Sequence, residues 1–234
     1  MDGLERIIER YGGWARWERL GSITLRMVHV GGPLPRLKGL GRTFPVPSTV
    51  RVLPHQLRTE FLEYPEAGRT SVFERGRVAV PGHPGGPQAV ELAEHRSSFA
   101  GLRKYRRWSA PDAVYFFGYA LTTYLSIPFL LPSLRTELRP WRAGGLRVRA
   151  EFPDSLHTHG PHQEFFFDVE GLLRRHDYTA EIVGRWARGS HFSSDYVEVE
   201  GLPIARRRQV YARLGGAVTP LPVLSAQLEP LAVD

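Results

Sequence analysis

The chain has 234 residues, a formal net charge of +7 and no cysteine. That length makes one large domain or two small ones, and the missing cysteines exclude a disulfide framework and any thiolate metal site. Only Lys38 and Lys104 are lysines; the arginines that carry the charge are spread along the chain, so no nucleic-acid partner is expected.

Leu4, Ile7, Ile8 and Tyr11 recur at helical spacing, with Asp2 as a candidate cap and Gly12-Gly13 as a stop. The charged N-terminus lacks the apolar run of a signal peptide, which makes the cytoplasm the expected location. Trp14 and Trp17 lie one helical turn apart and are expected to pin this element onto a sheet. From Ser22 to Val30 the pattern alternates, with Ile23, Leu25 and Met27 on one face. Residues 31–47 are dense in Gly and Pro and read as a long loop or irregular edge. Further strands are expected at 48–53, 56–62, 70–74 and 77–80, the last two joined by a turn at Glu74-Arg75-Gly76. Residues 81–87 read as a loop, and 88–108 as weakly helical and then basic.

The stretch from Ser109 to Leu131 is the most apolar in the chain. Ser109 can cap a helix, Pro111 is tolerated in its first turn, and Asp112 completes a capping box. Pro128 disfavours a helical residue before it, so the helix should end near Ser126, about 24 Å long at 1.5 Å per residue. Apolar residues cover nearly its whole circumference, which marks a helix buried on several sides. It is too short for a stable membrane span. The expected role is a plug or lid on a sheet, although plain core packing gives the same composition.

Residues 132–145 read as a connection. Strands follow at 145–152, 163–168, 172–181, 191–200, 204–213 and 223–228, with a turn at Val169-Glu170-Gly171. On a strand, the run Arg206-Arg207-Arg208 would split its side chains between the two faces. Short, evenly spaced strands on both sides of one apolar helix predict a single mainly β (α+β) domain over residues 1–234. Its sheet would be a curved antiparallel half-barrel, with the helix covering the concave face.

Three C-terminal segments, AEFPDSLHTHGPHQEFFFDVEGLLRRHDY, HFSSDYVEVEGLPIARRRQVYAR and PVLSAQLEPL, together with ERYGGWARWERLGSITLRM near the start, resemble uncharacterised bacterial proteins related to the lipoprotein-carrier (LolA/LolB-like) superfamily. The resemblance covers residues 3–30 and 146–229. It implies a curved antiparallel half-barrel whose apolar concave face is covered by helices and, in the carriers, holds acyl chains. An enzyme of violacein biosynthesis shares the fold and uses that face for chemistry, so the fold alone does not fix a function. Unlike in the carriers, no lipoprotein cysteine is present and no leader is expected.

The densest polar signal is His157-Thr158-His159-Gly160-Pro161-His162. On a strand His157 and His159 would share a face, and His176 and His191 with Glu164 or Asp177 could complete a metal site. Gly160 and Pro161 break the segment and turn His162 elsewhere, so neither a metal nor another cofactor is expected. In Arg174-Arg175-His176-Asp177-Tyr178, alternation puts Arg174, His176 and Tyr178 on one face, with Asp177 on the other and free to pair with a neighbouring arginine. No nucleophile elbow and no phosphate-binding glycine loop occurs.

The expected function is binding of a small hydrophobic or lipid-like ligand between sheet and helix. Tyr115, Phe116, Tyr119 and Tyr124 would line it from above; His157, His159, Arg174, His176, Tyr178 and His191 would supply polar contacts. The alternative is an enzyme of a secondary-metabolite pathway, with His157, His159 or His176 as acid or base. A third reading makes the apolar helix an oligomerisation surface.

Overall fold

The structure, a computed structural model, describes residues 3–44, 46–82 and 88–234. The candidate cap Asp2 and residues 83–87 of the expected loop lie outside that range. Two helices open the chain, α1 (Gly3–Arg10) and α2 (Gly13–Arg19), and β1 (Ile23–Gly31) follows. Within the expected loop or irregular edge, residues 33–43 instead form α3 (Pro33–Lys38) and α4 (Leu40–Thr43). Pro33 sits at the start of α3, where its missing N–H costs nothing, and Gly39 ends it in the left-handed conformation (φ 74°).

A meander comes next: β2 (Ser48–Leu53), β3 (Arg58–Leu62), β4 (Thr70–Glu74), β5 (Arg77–Val80) and β6 (Val90–Leu92). β3 begins two residues later than expected, after a 3-10 turn at Pro54–Gln56. The segment expected to be weakly helical holds β6 and two 3-10 turns, His95–Phe99 and Gly101–Tyr105. Then come α5 (Ala110–Ser126), β7 (Arg135–Trp141), β8 (Gly145–Glu151), β9 (His162–Phe167), β10 (Leu173–Thr179), β11 (Arg188–Val199), β12 (Leu202–Leu214), β13 (Ala217–Val218) and β14 (Leu224–Val233).

The strands form one antiparallel sheet in the order β6-β5-β4-β3-β2-β1-β14-β12-β11-β10-β9-β8-β7, with β13 paired to β12 off this path. The sheet is open and has the architecture of a curved half-barrel. It is two meanders joined at the middle, where β14 lies between β1 and β12. The first meander ends on one edge at β6, and the second starts on the other edge at β7. The chain must therefore cross the whole sheet between them, and α5 is that crossover.

α5 has the expected limits, and the Ser109/Asp112 capping box is formed. Of its residues only Ala110, Pro111 and Tyr124 escape full burial, so its own chain covers it and it offers no broad face to a second copy. Its backbone lies closest to β2, β3, β4 and β5. Gly118 makes that approach possible: a Cβ there would stand 2.3 Å from the Phe73 Cβ. Thr59 on β3 donates to the Gly118 carbonyl (3.1 Å) and shares a hydrogen bond with Thr122 (2.9 Å).

The inward residues of this half are largely apolar: Ile23, Leu25, Met27, Val50, Val52, Phe61, Phe73 and Val78 are all buried. In the other half Val148, Phe165 and Phe167 share the concave side with Gln163, His176, His191 and Arg208, which are buried too. β7, expected as a mere connection, is an edge strand whose side chains are mostly exposed. With water on both faces it has no apolar alternation to betray it, and charge suits an edge. Trp14 and Trp17 pack on Phe129 in the turn after α5, Trp17 stacked on it at 4.4 Å between centroids, and not on a strand of the sheet.

Candidate ligand site under the crossover helix

The tyrosines of α5 reach across to the second meander and bond the histidines of the 154–161 connection. The Tyr115 hydroxyl meets His157 Nδ1 at 2.8 Å, and the Tyr119 hydroxyl meets His159 Nδ1 at 3.0 Å. Tyr124 takes the remaining nitrogen, its hydroxyl 2.5 Å from His159 Nε2. A neutral imidazole has one donor and one acceptor nitrogen, so one of these two tyrosines donates to His159 and the other accepts from it. His159 also stacks on Tyr178, 3.8 Å between ring centroids. Phe116 packs between Trp108 and Tyr119. His157 and His159 therefore do not share a strand face toward one ion. Among the described residues no three histidine or carboxylate side chains converge as metal ligands would. His162 is exposed at the start of β9, turned away as expected.

A second chain of bonds holds the connection from below. Arg96 donates to the Thr158 carbonyl and to Glu181, both at 2.7 Å. Gln163 donates its amide N–H groups to the Thr158 hydroxyl and the Gly160 carbonyl, both at 2.7 Å. Its oxygen is thereby fixed as the acceptor facing His176 Nε2 at 2.6 Å. The His176 proton sits on Nε2, which leaves a bare lone pair on a buried Nδ1 without a partner. His191, opposite His176 on β11, has no hydrogen-bond partner on either ring nitrogen among the described residues.

Burial shapes the electrostatics of this interior. It holds the His159 and His191 imidazoles well below their usual range and His176 at about 3, with the Arg208 charge also lowering His176 and His191. Burial likewise raises the phenols of Tyr119, Tyr124 and Tyr178, and pushes Tyr115 up to about 12. At neutral pH the three imidazoles and four phenols are uncharged.

Arg174 departs from the expected pattern. A register shift between Leu173 and Arg175 makes it a bulge residue. Instead of lining the concave face it pairs with Asp168 (2.5 Å) and lies over Tyr196. His176 and Tyr178 face inward as expected. Asp177 faces outward and pairs with Arg175 (2.7 Å) and Arg213 (2.5 Å).

Sequence reasoning missed Arg208, Gln163, Ser193, Tyr11 and Tyr196 as members of this interior. Parity held the signal for two of them: Gln163 stands at i−2 and i−4 from Phe165 and Phe167, and Arg208 is the inward member of the arginine run.

The space between α5 and the sheet is filled by these side chains. Of the hollows beside α5, one of about 20 Å³ lies near Tyr124 and Arg208 and another of about 20 Å³ near Thr122 and His157. An open cleft of about 660 Å³ runs outside, past Arg96, His157 and Glu181.

The chain is an open antiparallel half-barrel crossed by a buried helix, a LolA-like fold. Compared with solved structures, the chain is similar to a LolA superfamily protein from Nitrosomonas europaea over 100% of its own length and 94% of that chain, with a TM-score of 0.52 and 11% identity. At that identity the likeness is one of fold. A DUF1329 family protein from Desulfovibrio piger aligns with a TM-score of 0.44 and 10% identity, covering 99% of this chain and 90% of that one. No family model matches the sequence, and no curated protein does.

Proposed function

We propose that the protein binds a small hydrophobic or lipid-like molecule between the sheet and α5. One observation carries this reading. The buried face of β10–β12 beneath the C-terminal end of α5 keeps polar atoms without hydrogen-bond partners among the described residues: both nitrogens of His191, Nδ1 of His176, Oγ of Ser193 and Nε of Arg208. Interiors that serve packing alone satisfy such groups. Beside them Leu125 of α5 and Leu173 of β10 offer apolar walls. A ligand with an apolar body and one polar end meets both requirements.

The ligand enters by lifting α5 from the sheet, because the closed interior has no room for it. The grip on β2–β5 is close and largely apolar, with the Thr59 bonds buried inside it, whereas the grip on the second meander runs through the Tyr–His bonds, which water can replace during opening. Tyr115, Phe116, Tyr119 and Tyr124 then face the ligand from above, and His159, His176, Tyr178 and His191 from below. No helix among the described residues is long and apolar enough to cross a membrane.

Native mass spectrometry of the gently purified protein, with titrations of fatty acids and an apolar dye, tests the proposal. A bound small molecule or saturable binding is expected. A preparation that carries nothing and binds none of these probes overturns it.

The enzyme reading keeps one observation in its favour: His157 is half-buried and lines the open cleft, where a substrate could reach it. Substitution of His157 by Ala without loss of any assayed turnover removes that reading.

A further inference from the structure

The interior beneath the end of α5 contains a cation that no carboxylate among the described residues pairs with. The arginines around it are paired: Arg174 with Asp168, Arg175 and Arg213 with Asp177, and Arg206 with Asp195. Arg208 points inward and is 7% exposed. The groups acting on its charge are the hydroxyls of Tyr196, Tyr124 and Tyr11, with no carboxylate among them. Its Nε has no hydrogen-bond partner, and its guanidinium lies 5.0 Å from the Tyr124 ring centroid. The other face of that neighbourhood brings no anion either, since the ring next to Tyr124 is His191 (4.7 Å). A buried charge without a counter-ion is expensive to keep, so an arginine retained there calls for a negative group from outside.

The space for that group exists. The hollow of about 20 Å³ beside Arg208 is lined in part by Tyr11, Tyr124, Tyr196, Leu125 and Leu173. A water needs roughly 10–15 Å³ by this measure, so the hollow takes one or two water-sized groups. Two oxygens of a carboxylate fit that room and match the planar guanidinium fork; the four oxygens of a phosphate do not. Leu125 and Leu173 in the same wall make the way out of the hollow apolar.

We propose that this hollow is the carboxylate subsite for an amphipathic acid, with Arg208 as the anchor and the hydrocarbon chain running under α5. The Tyr11, Tyr124 and Tyr196 side chains line the headgroup. The inference rests on the hydrophobic-ligand reading above and adds the chemistry of the head.

The test compares dodecanoate, dodecanol and dodecyl phosphate by calorimetric titration of the wild-type chain, Arg208→Met and Arg208→Lys. In the wild type dodecanoate binds about 10–100-fold tighter than dodecanol, as charge-assisted hydrogen bonds allow, and tighter than dodecyl phosphate. In Arg208→Met the acid and the alcohol bind alike; in Arg208→Lys, which keeps the charge and loses the fork, the preference for the acid is reduced but present. Arg208→Met removes an unpaired buried charge and is expected to fold; its thermal transition checks this, and Arg208→Lys reads the same preference should it not.

Equal affinity for acid and alcohol in the wild type overturns the anchor and leaves the hydrophobic site standing. Tighter binding of dodecyl phosphate overturns the carboxylate assignment. Binding of none of the three overturns the ligand reading as a whole.

Discussion

His159, His176 and His191 are each at most 2% exposed and held neutral by burial. Their folded pKa values lie below the unfolded value of about 6.5. The unfolded chain therefore takes up protons first as pH falls, and stability present above about pH 6.5 is lost below it. For His176 the loss runs down to about pH 3. Each imidazole costs about 1.4 kcal/mol per pH unit in that window. Urea denaturation at pH 7.5 and pH 5.5 should show a drop of several kcal/mol, and a flat profile would contradict the neutral assignment.

Asp112 behaves in the same direction for a different reason. Burial raises its pKa, but hydrogen bonds from His95 and Ser109 and the charge of Arg103 overcome that and hold it at about 2. It stabilises the fold above about pH 4, and that contribution fades as pH falls toward 2. Asp112→Asn should cost about 2–3 kcal/mol at pH 7 in denaturant titrations, because it leaves buried donors poorly met. Tyr124→Phe strips one nitrogen of His159 of its partner. A loss of about 1–3 kcal/mol is expected, with stronger binding of an apolar dye as the seam loosens; unchanged stability and dye binding would count against the Tyr–His seam.

At the scale of elements, the contact between α5 and β4 depends on the missing side chain of Gly118. Alanine gains up to about 1 kcal/mol of helix propensity, but its Cβ collides with Phe73, and overpacking of this kind costs about 1–3 kcal/mol. Gly118→Ala should lower the denaturation midpoint, and Gly118→Ala with Phe73→Leu should recover part of it. The helix itself was legible in the sequence because its signals are local: Ser109 and Asp112 at one end, Pro128 at the other. The β1 pattern and the turn at Arg75-Gly76 were readable for the same reason. β7 was hidden because an edge strand wet on both faces has no periodic burial. The helices α3 and α4 were hidden because Pro and Gly serve helix ends as well as loops. There Lys38 is buried, its ammonium donating to the Lys104 carbonyl, and its own carbonyl accepts from Trp108 N–H at 2.8 Å. That anchorage ties the approach to α5 to the first meander. Arg174 was misplaced because a bulge resets strand parity, which no alternation rule can foresee.

For the whole molecule, the decisive fact is the edge-to-edge crossing, and it depends on strand order, which is a non-local property. The sequence carried the class of fold, a half-barrel with a covering helix, but not the route that makes the cover necessary. The sequence also led to an expectation of a ligand held between sheet and helix, whereas in the closed molecule that space is packed with side chains, polar ones on the second meander. The account therefore stands on α5 being a cover that lifts.

That motion starts where α5 is joined to the second meander, at bonds such as Tyr119 hydroxyl to His159 Nδ1 (3.0 Å). Stopped-flow association of dodecanoate with the wild-type chain and with Tyr119→Phe, which removes that hydroxyl, puts the central claim to the test. Faster association with the variant is the predicted result; equal rates, or no binding by either, contradict it.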